Sequence, residues 1–256
     1  MSFESHHIVT ALFLSFLAGM VTGLGSLIAH FTKRPKYKYV GFALGVSAGG
    51  IVGVALVEVL PETVVVIGSY KAKIALIIGM VFPFLFSDIV VKRTVIEKKV
   101  SNLGLRLSGR DVVMVIDIIL HKIPEGLLIF FAAIISLEIG MLIAVTIALH
   151  NIAVGFSLSM SIFYITQDQK RAFLYSLFSG LIEPIGALFA ATLYISLLTQ
   201  TTLYLGLSFI SGIMVYVCLG ELIPVAYKYG EERSVLVGII VGMSLMIMSL
   251  MLLHLL

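Results

Sequence analysis

Apolar residues run along this 256-residue chain in blocks of about twenty, separated by short stretches of turn-forming or charged residues. The blocks fall at about 8–30, 39–60, 72–91, 111–133, 138–160, 172–195, 203–226 and 234–256. A helix of that length rises about 30 Å, the thickness of a bilayer's hydrocarbon core. The pattern therefore predicts an all-α integral membrane protein with eight transmembrane helices, organised as a single domain over residues 1–256. The first block follows no positively charged stretch and exceeds the apolar core of a signal peptide, so it reads as a retained helix.

The second block carries Gly41, Gly45, Gly49 and Gly53 at four-residue spacing, which leaves one side of that helix bare. Close packing of a neighbouring helix is the expected use, and a sliding surface is the alternative. The fourth block is interrupted by His121-Lys122-Ile123-Pro124-Glu125-Gly126, with Asp117 one turn earlier. Each Asp or Lys at the centre of a spanning helix costs about 2.5–3.5 kcal/mol on insertion scales, so this stretch cannot face lipid. Pro124 donates no N–H and clashes with the preceding turn, which leaves a carbonyl near position 120 free to face a cavity. His121 and Glu125 lie four apart on one helical face, and an imidazole beside a carboxylate is half of a metal site.

Two internal echoes extend this pattern. His150-Asn151-Ile152-Ala153-Val154-Gly155 in the fifth block repeats the spacing of His121 to Gly126, and Glu58-Val59-Leu60-Pro61 in the second resembles Glu221-Leu222-Ile223-Pro224 in the seventh. The second and seventh positions correspond if helices 1–3 and 6–8 form an inverted repeat around a central 4–5 pair, an arrangement that marks transporters with a midplane site.

Composition agrees with a membrane location: 60% of residues are apolar and 12% charged, which excludes a soluble domain. The one cysteine, Cys218, allows neither a disulfide framework nor a thiolate cluster. Lys and Arg are uneven between loops: fourteen lie in the odd-numbered loops and two, Lys71 and Lys73, in the even ones. By the positive-inside rule the odd loops are cytoplasmic and both termini lie outside. The intramembrane ionisable set is His121, Lys122, Glu125, His150, Glu183 and Glu221, with Glu58 and Glu62 towards the outside. For any one of these residues a buried polar contact between helices is the plainer reading. Together, two imidazoles and two carboxylates from helices four to six suit Zn²⁺ or another first-row divalent ion, whereas Ca²⁺ or Mg²⁺ would want oxygen ligands alone.

From end to end these stretches resemble the ZIP (Zrt-, Irt-like) divalent metal transporters, and especially their GufA-like prokaryotic branch. The family's helix-four motif His-Asn-x-Pro-Glu-Gly is similar to His121–Gly126, its second motif to His150–Gly155, and its Glu-Pro to Glu183-Pro184. Gly41-Phe42-Ala43-Leu44-Gly45-Val46 and Glu221-Leu222-Ile223-Pro224 resemble its motifs on helices two and seven. The resemblance implies eight helices, both termini outside the cell membrane, and a transported ion bound by His121, Glu125 and His150, with Glu183 as fourth ligand or in support. Family members hold two neighbouring metals with an Asn on helix four and a Glu on helix five; here those positions are Lys122 and Val154. An ammonium cannot ligate while protonated, so the resemblance with these departures implies one ion, with Lys122 standing where a second would sit. Ser47 takes a position that supplies a thioether in the family, and Asn151 shapes the site.

The expected function is transport of a divalent transition metal, Zn²⁺ first, towards the cytoplasm. Glu58 and Glu62 would gather it at the outer mouth, and Asp117 with Glu221 would receive it inside. The loop from Lys92 to Arg110 contains no histidine to buffer arriving metal, and its basic character suits anionic lipid headgroups. Nucleic acid is not an expected partner, and a homodimer is an allowed assembly. An intramembrane zinc hydrolase is disfavoured because no His-Glu-x-x-His run occurs. A non-transporting sensor or scaffold on the same fold is the other alternative.

Overall fold

The computed structural model describes residues 2–31, 37–90, 121–197 and 199–253. Asp117, the first ten residues of the fourth block and the basic loop from Lys92 to Arg110 lie outside the described residues, as do Lys33, Arg34 and Lys36. Among those described the chain is helical throughout, with no strand.

The first span is broken into α1 (Ser2–Met20) and α2 (Thr22–Phe31) at Val21. The second is α3 (Tyr37–Gly53), a π-helical turn (Val54–Val59) and α4 (Leu60–Ile67). Next come α5 (Ser69–Val90), α6 (Lys122–Ile135) and the long α7 (Leu137–Thr166). The sixth span is again broken, into α8 (Gln169–Ser179) and α9 (Ile182–Leu197). The seventh repeats the pattern of the second: α10 (Gln200–Val217), a π turn (Cys218–Leu222) and α11 (Ile223–Tyr229). The chain closes on α12 (Glu232–Leu253). Six stretches among the described residues are long and apolar enough to cross a membrane: His7–Phe31, Tyr39–Ile67, Leu137–Phe163, Gln169–Ile195, Gln200–Lys228 and Glu232–Ser249.

The second span runs on to Ile67, past the end that its apolar block predicts. The π turn explains this. A proline inside an α-helix clashes with the carbonyl four residues back and leaves it without a donor, and widening the turn before Pro61 relieves the clash without ending the helix. Gly68, at φ 86°, ends α4 in a conformation open to glycine but strained for other residues.

Packing is set by glycines. A Cβ at Gly49 would collide with the Ile239 carbonyl and one at Gly242 with that of Val46, so α3 and α12 touch backbone to backbone. The stripe expected to pack closely does so, with Gly41 against Gly230 and Gly45 against Val235. The same contact recurs between α5 and α10 (Gly79 on Phe209, Gly212 on Leu76), between α2 and α7 (Gly25 on Ile152, Gly155 on Thr22), and between α6 and α9 (Gly126 on Glu183, Gly186 on Ile123). At the two broken spans Gly19 and Gly180 meet each other. Without a hydrophobic driving force between helices in lipid, such close approach supplies the van der Waals attraction that holds a bundle together. At the centre stands α6, whose residues Leu128 to Ala133 are all buried whichever way they point. A helix apolar on every side is a core helix.

Candidate metal centre

The start of α6 supplies half of the centre. His121 is its N-cap residue and Pro124 falls in its first turn, where a missing N–H costs no hydrogen bond. That turn brings His121 Nε2 to 3.4 Å from Glu125 Oε1. From α7, His150 Nε2 approaches the same oxygen at 3.1 Å, and the two imidazole rings meet edge to face with centroids 6.2 Å apart. All three side chains are at least 97% buried, and their ligand atoms lie within 4.8 Å of one another. In tetrahedral Zn²⁺ coordination, metal–ligand bonds of about 2.0–2.2 Å leave neighbouring ligand atoms about 3.3 Å apart, close to both of these separations.

The orientation of His150 is fixed from behind. Its Nδ1 lies 2.7 Å from Ser47 Oγ and 3.0 Å from the Ser47 carbonyl oxygen on α3. A carbonyl can only accept, so Nδ1 carries the hydrogen and the Nε2 lone pair turns towards Glu125, an assignment made from the partners. This is the arrangement in which an imidazole is ready to ligate, its other nitrogen held by a backbone acceptor. Ser47 therefore stands behind His150, on the nitrogen that points away from the cluster.

Glu183, from the start of α9, is fully buried but lies beside this trio. Its Oε2 accepts from Asn151 Nδ2 at 2.7 Å and sits 3.8 Å from Lys122 Nζ. Lys122 Nζ donates to Glu125 Oε2 at 2.8 Å and makes a short hydrogen bond to Asn151 Oδ1. The two oxygens of Glu125 are thus divided, one facing two imidazoles and the other an ammonium. Lys122 has no exposed surface at all, and charges so buried persist only when paired and hydrogen-bonded. Asn151 Nδ2 also donates to the Ala18 carbonyl at 2.7 Å, which ties the broken first span to the centre.

The other predicted residues lie apart. Glu58 and Glu221 each stand in a π turn, three residues before Pro61 and Pro224, and both are half-buried. Glu62, also half-buried, stands in the first turn of α4. Asp117 lies outside the described residues. The carbonyls of Ala18 and Ser47 are the participants that sequence reasoning missed, since a backbone acceptor leaves no mark in the residue alphabet.

Spanning-length helices packed around a buried His/Glu cluster that could hold a metal ion define a polytopic membrane protein. The family model described as "ZIP Zinc transporter" matches residues 92–250. The chain is 35% identical to a protein named zinc transporter ZupT from Clostridium perfringens, over 96% of this chain and 97% of that one. It is 36% identical to the ZupT of Chlorobium luteolum, over 95% and 97%, and 32% identical to that of Streptococcus mutans, over 97% and 99%. The chain belongs to the ZIP zinc transporter family, which makes it a transporter-family protein and not an enzyme.

Proposed function

We propose that this protein carries a divalent transition-metal ion, Zn²⁺ first, across the cell membrane towards the cytoplasm, and that His121, Glu125 and His150 hold the ion midway. The observation that carries this reading is the convergence of two imidazole nitrogens on one carboxylate oxygen, at 3.4 and 3.1 Å. His150 Nε2 and that oxygen both present lone pairs, so a cation between them turns a repulsive contact into two bonds. The zinc-transporter names of the relatives point to the same cargo.

The centre takes one ion in this reading. Lys122 supports it, because its ammonium occupies the far oxygen of Glu125 and faces Glu183, where a second cation would otherwise go. Glu183 acts through Asn151 and Lys122, with the fourth coordination position left to it or to water. Glu62 and Glu58 gather the ion at the outer mouth, while Glu221 and Asp117 receive it inside.

The eight-helix architecture and its inverted repeat belong to the same proposal. Their support is that the glycine contacts come in matched sets: the step from Val46 to Phe209 also separates Gly49 from Gly212, Leu76 from Ile239 and Gly79 from Gly242. Likewise, the step from Ile123 to Ile152 also separates Gly126 from Gly155. The breaks at Val21 and Gly180 and the two π turns pair the first span with the sixth and the second with the seventh.

The reading is tested by Zn²⁺ uptake into proteoliposomes that contain the purified protein and a trapped fluorescent chelator. Uptake should saturate for the wild type and vanish for His121→Ala and Glu125→Ala proteins that insert and purify normally. Wild-type rates in either variant would overturn the assignment. Metal binding without any uptake by the wild type would instead make the protein a sensor.

A further inference from the structure

A cavity lined by side chains with potential donor atoms lies away from the centre, at the end of the bundle that carries the loops after the first and fifth spans. We propose that His30 and the thioether of Met160, beside the hydroxyl of Ser159, form a peripheral site for a soft, singly charged metal ion of the Cu(I) class. The inference stands independently of the transport reading.

His30 is the penultimate residue of α2, and its ring is held edge-on to Phe31 and Phe173, with centroids 5.6 and 6.3 Å away. Its Nδ1 is buried and has no hydrogen-bond partner among the described residues. A buried polar atom left unsatisfied is destabilising, and in a native structure it calls for an occupant. The ring lines a cavity shared with Ser159 and Met160 of α7 and Gln169 of α8. Ser159 and Met160 are buried, whereas Gln169 is exposed, so the cavity opens at the surface.

The donor set selects the ion. Thioether and imidazole are soft and borderline ligands, and thioether sulfur in particular selects Cu(I) over hard cations. Among the described residues no carboxylate lines the cavity, so the oxygen-rich environment that Ca²⁺ and Mg²⁺ require is not supplied there. With every ligand neutral, a doubly charged ion would be poorly compensated, and desolvation rises steeply with charge. A monovalent d¹⁰ ion meets both conditions. The site is also separate from the centre: Ser159 lies two turns beyond Asn151 on α7, about 12 Å along the helix axis.

Ag⁺ is the air-stable probe of this class, and methionine methyl groups labelled with ¹³C report thioether ligation directly. In the purified full-length protein, Ag⁺ should shift the methyl resonance that Met160→Leu removes, and the same shift should occur in His121→Ala. In His30→Phe, which keeps an aromatic ring against Phe173, the shift should be lost while melting without metal stays as in the wild type. A Met160 resonance indifferent to Ag⁺, or one that shifts equally in His30→Phe, would overturn the site. Loss of uptake in His121→Ala with the Ag⁺ shift retained separates failure of this proposal from failure of the transport reading.

Discussion

Glu125 divides its two oxygens between unlike partners, and substitutions around it should therefore have unlike effects. Outer hydrogen bonds to a ligating imidazole are typically worth tenfold to a hundredfold in metal affinity. Ser47→Ala removes the hydroxyl at 2.7 Å from His150 but leaves the backbone carbonyl at 3.0 Å, so the loss should fall near tenfold, read as a weaker Zn²⁺ affinity with unchanged folding. Lys122→Ala acts on the other oxygen. Taking one partner from a buried ion pair costs about 3–5 kcal/mol, so the metal-free variant should melt earlier in detergent, and added Zn²⁺ should recover part of the loss by mass action. An unchanged melting point without metal would reduce Lys122 to a packing residue. The trio itself was legible in the sequence, because the His121–Glu125 spacing and its echo at His150 are side-chain patterns. The anchoring of His150 by the Ser47 backbone was not, since it depends on where α3 crosses α7.

At the level of elements, the apolar blocks mark where helices lie but carry no sign of how they are interrupted. The second block ends just before Pro61, whereas the seventh runs through Pro224; the π turns before the two prolines let both helices continue. The breaks at Val21 and Gly180 were equally invisible, because an apolar window does not distinguish one long helix from two short ones. Glycine spacing was more informative, and it makes a sharp prediction. Gly49 has the Ile239 carbonyl against it, whereas a Cβ at Gly50 would meet nothing within 4 Å among the described residues. Gly49→Leu should abolish recovery of folded protein after detergent extraction, and Gly212→Leu, its counterpart on α10, should do the same. Gly50→Ala should be neutral or raise stability by up to about 1 kcal/mol, because a helix-interior glycine is replaced by a better helix former. Equal tolerance at positions 49 and 50 would contradict the backbone contact between α3 and α12.

For the molecule as a whole, orientation and turnover are the properties at stake. The proposed orientation puts the residues before α10 outside and those opening α8 inside. In intact cells a membrane-impermeant maleimide should label Gln200→Cys, and should label Lys170→Cys only after permeabilisation; Cys218, fully buried, should stay silent. The reverse pattern would invert the molecule. Turnover depends on how long the ion stays, and here Lys122 matters beyond its structural role. A pathway conducts when binding is strong enough to admit an ion and weak enough to release it. In the proposed site one carboxylate serves two cations, a tethered ammonium and a mobile metal, so each would weaken the other's hold on Glu125. The repulsion acts twice as strongly on a divalent ion as on a monovalent one. In the proposed site the fixed charge would act as an ejector that shortens the dwell time of the ion in transit, trading affinity for speed, and replacing it with Met, of similar length and no charge, should give a protein that binds Zn²⁺ more tightly and passes it more slowly.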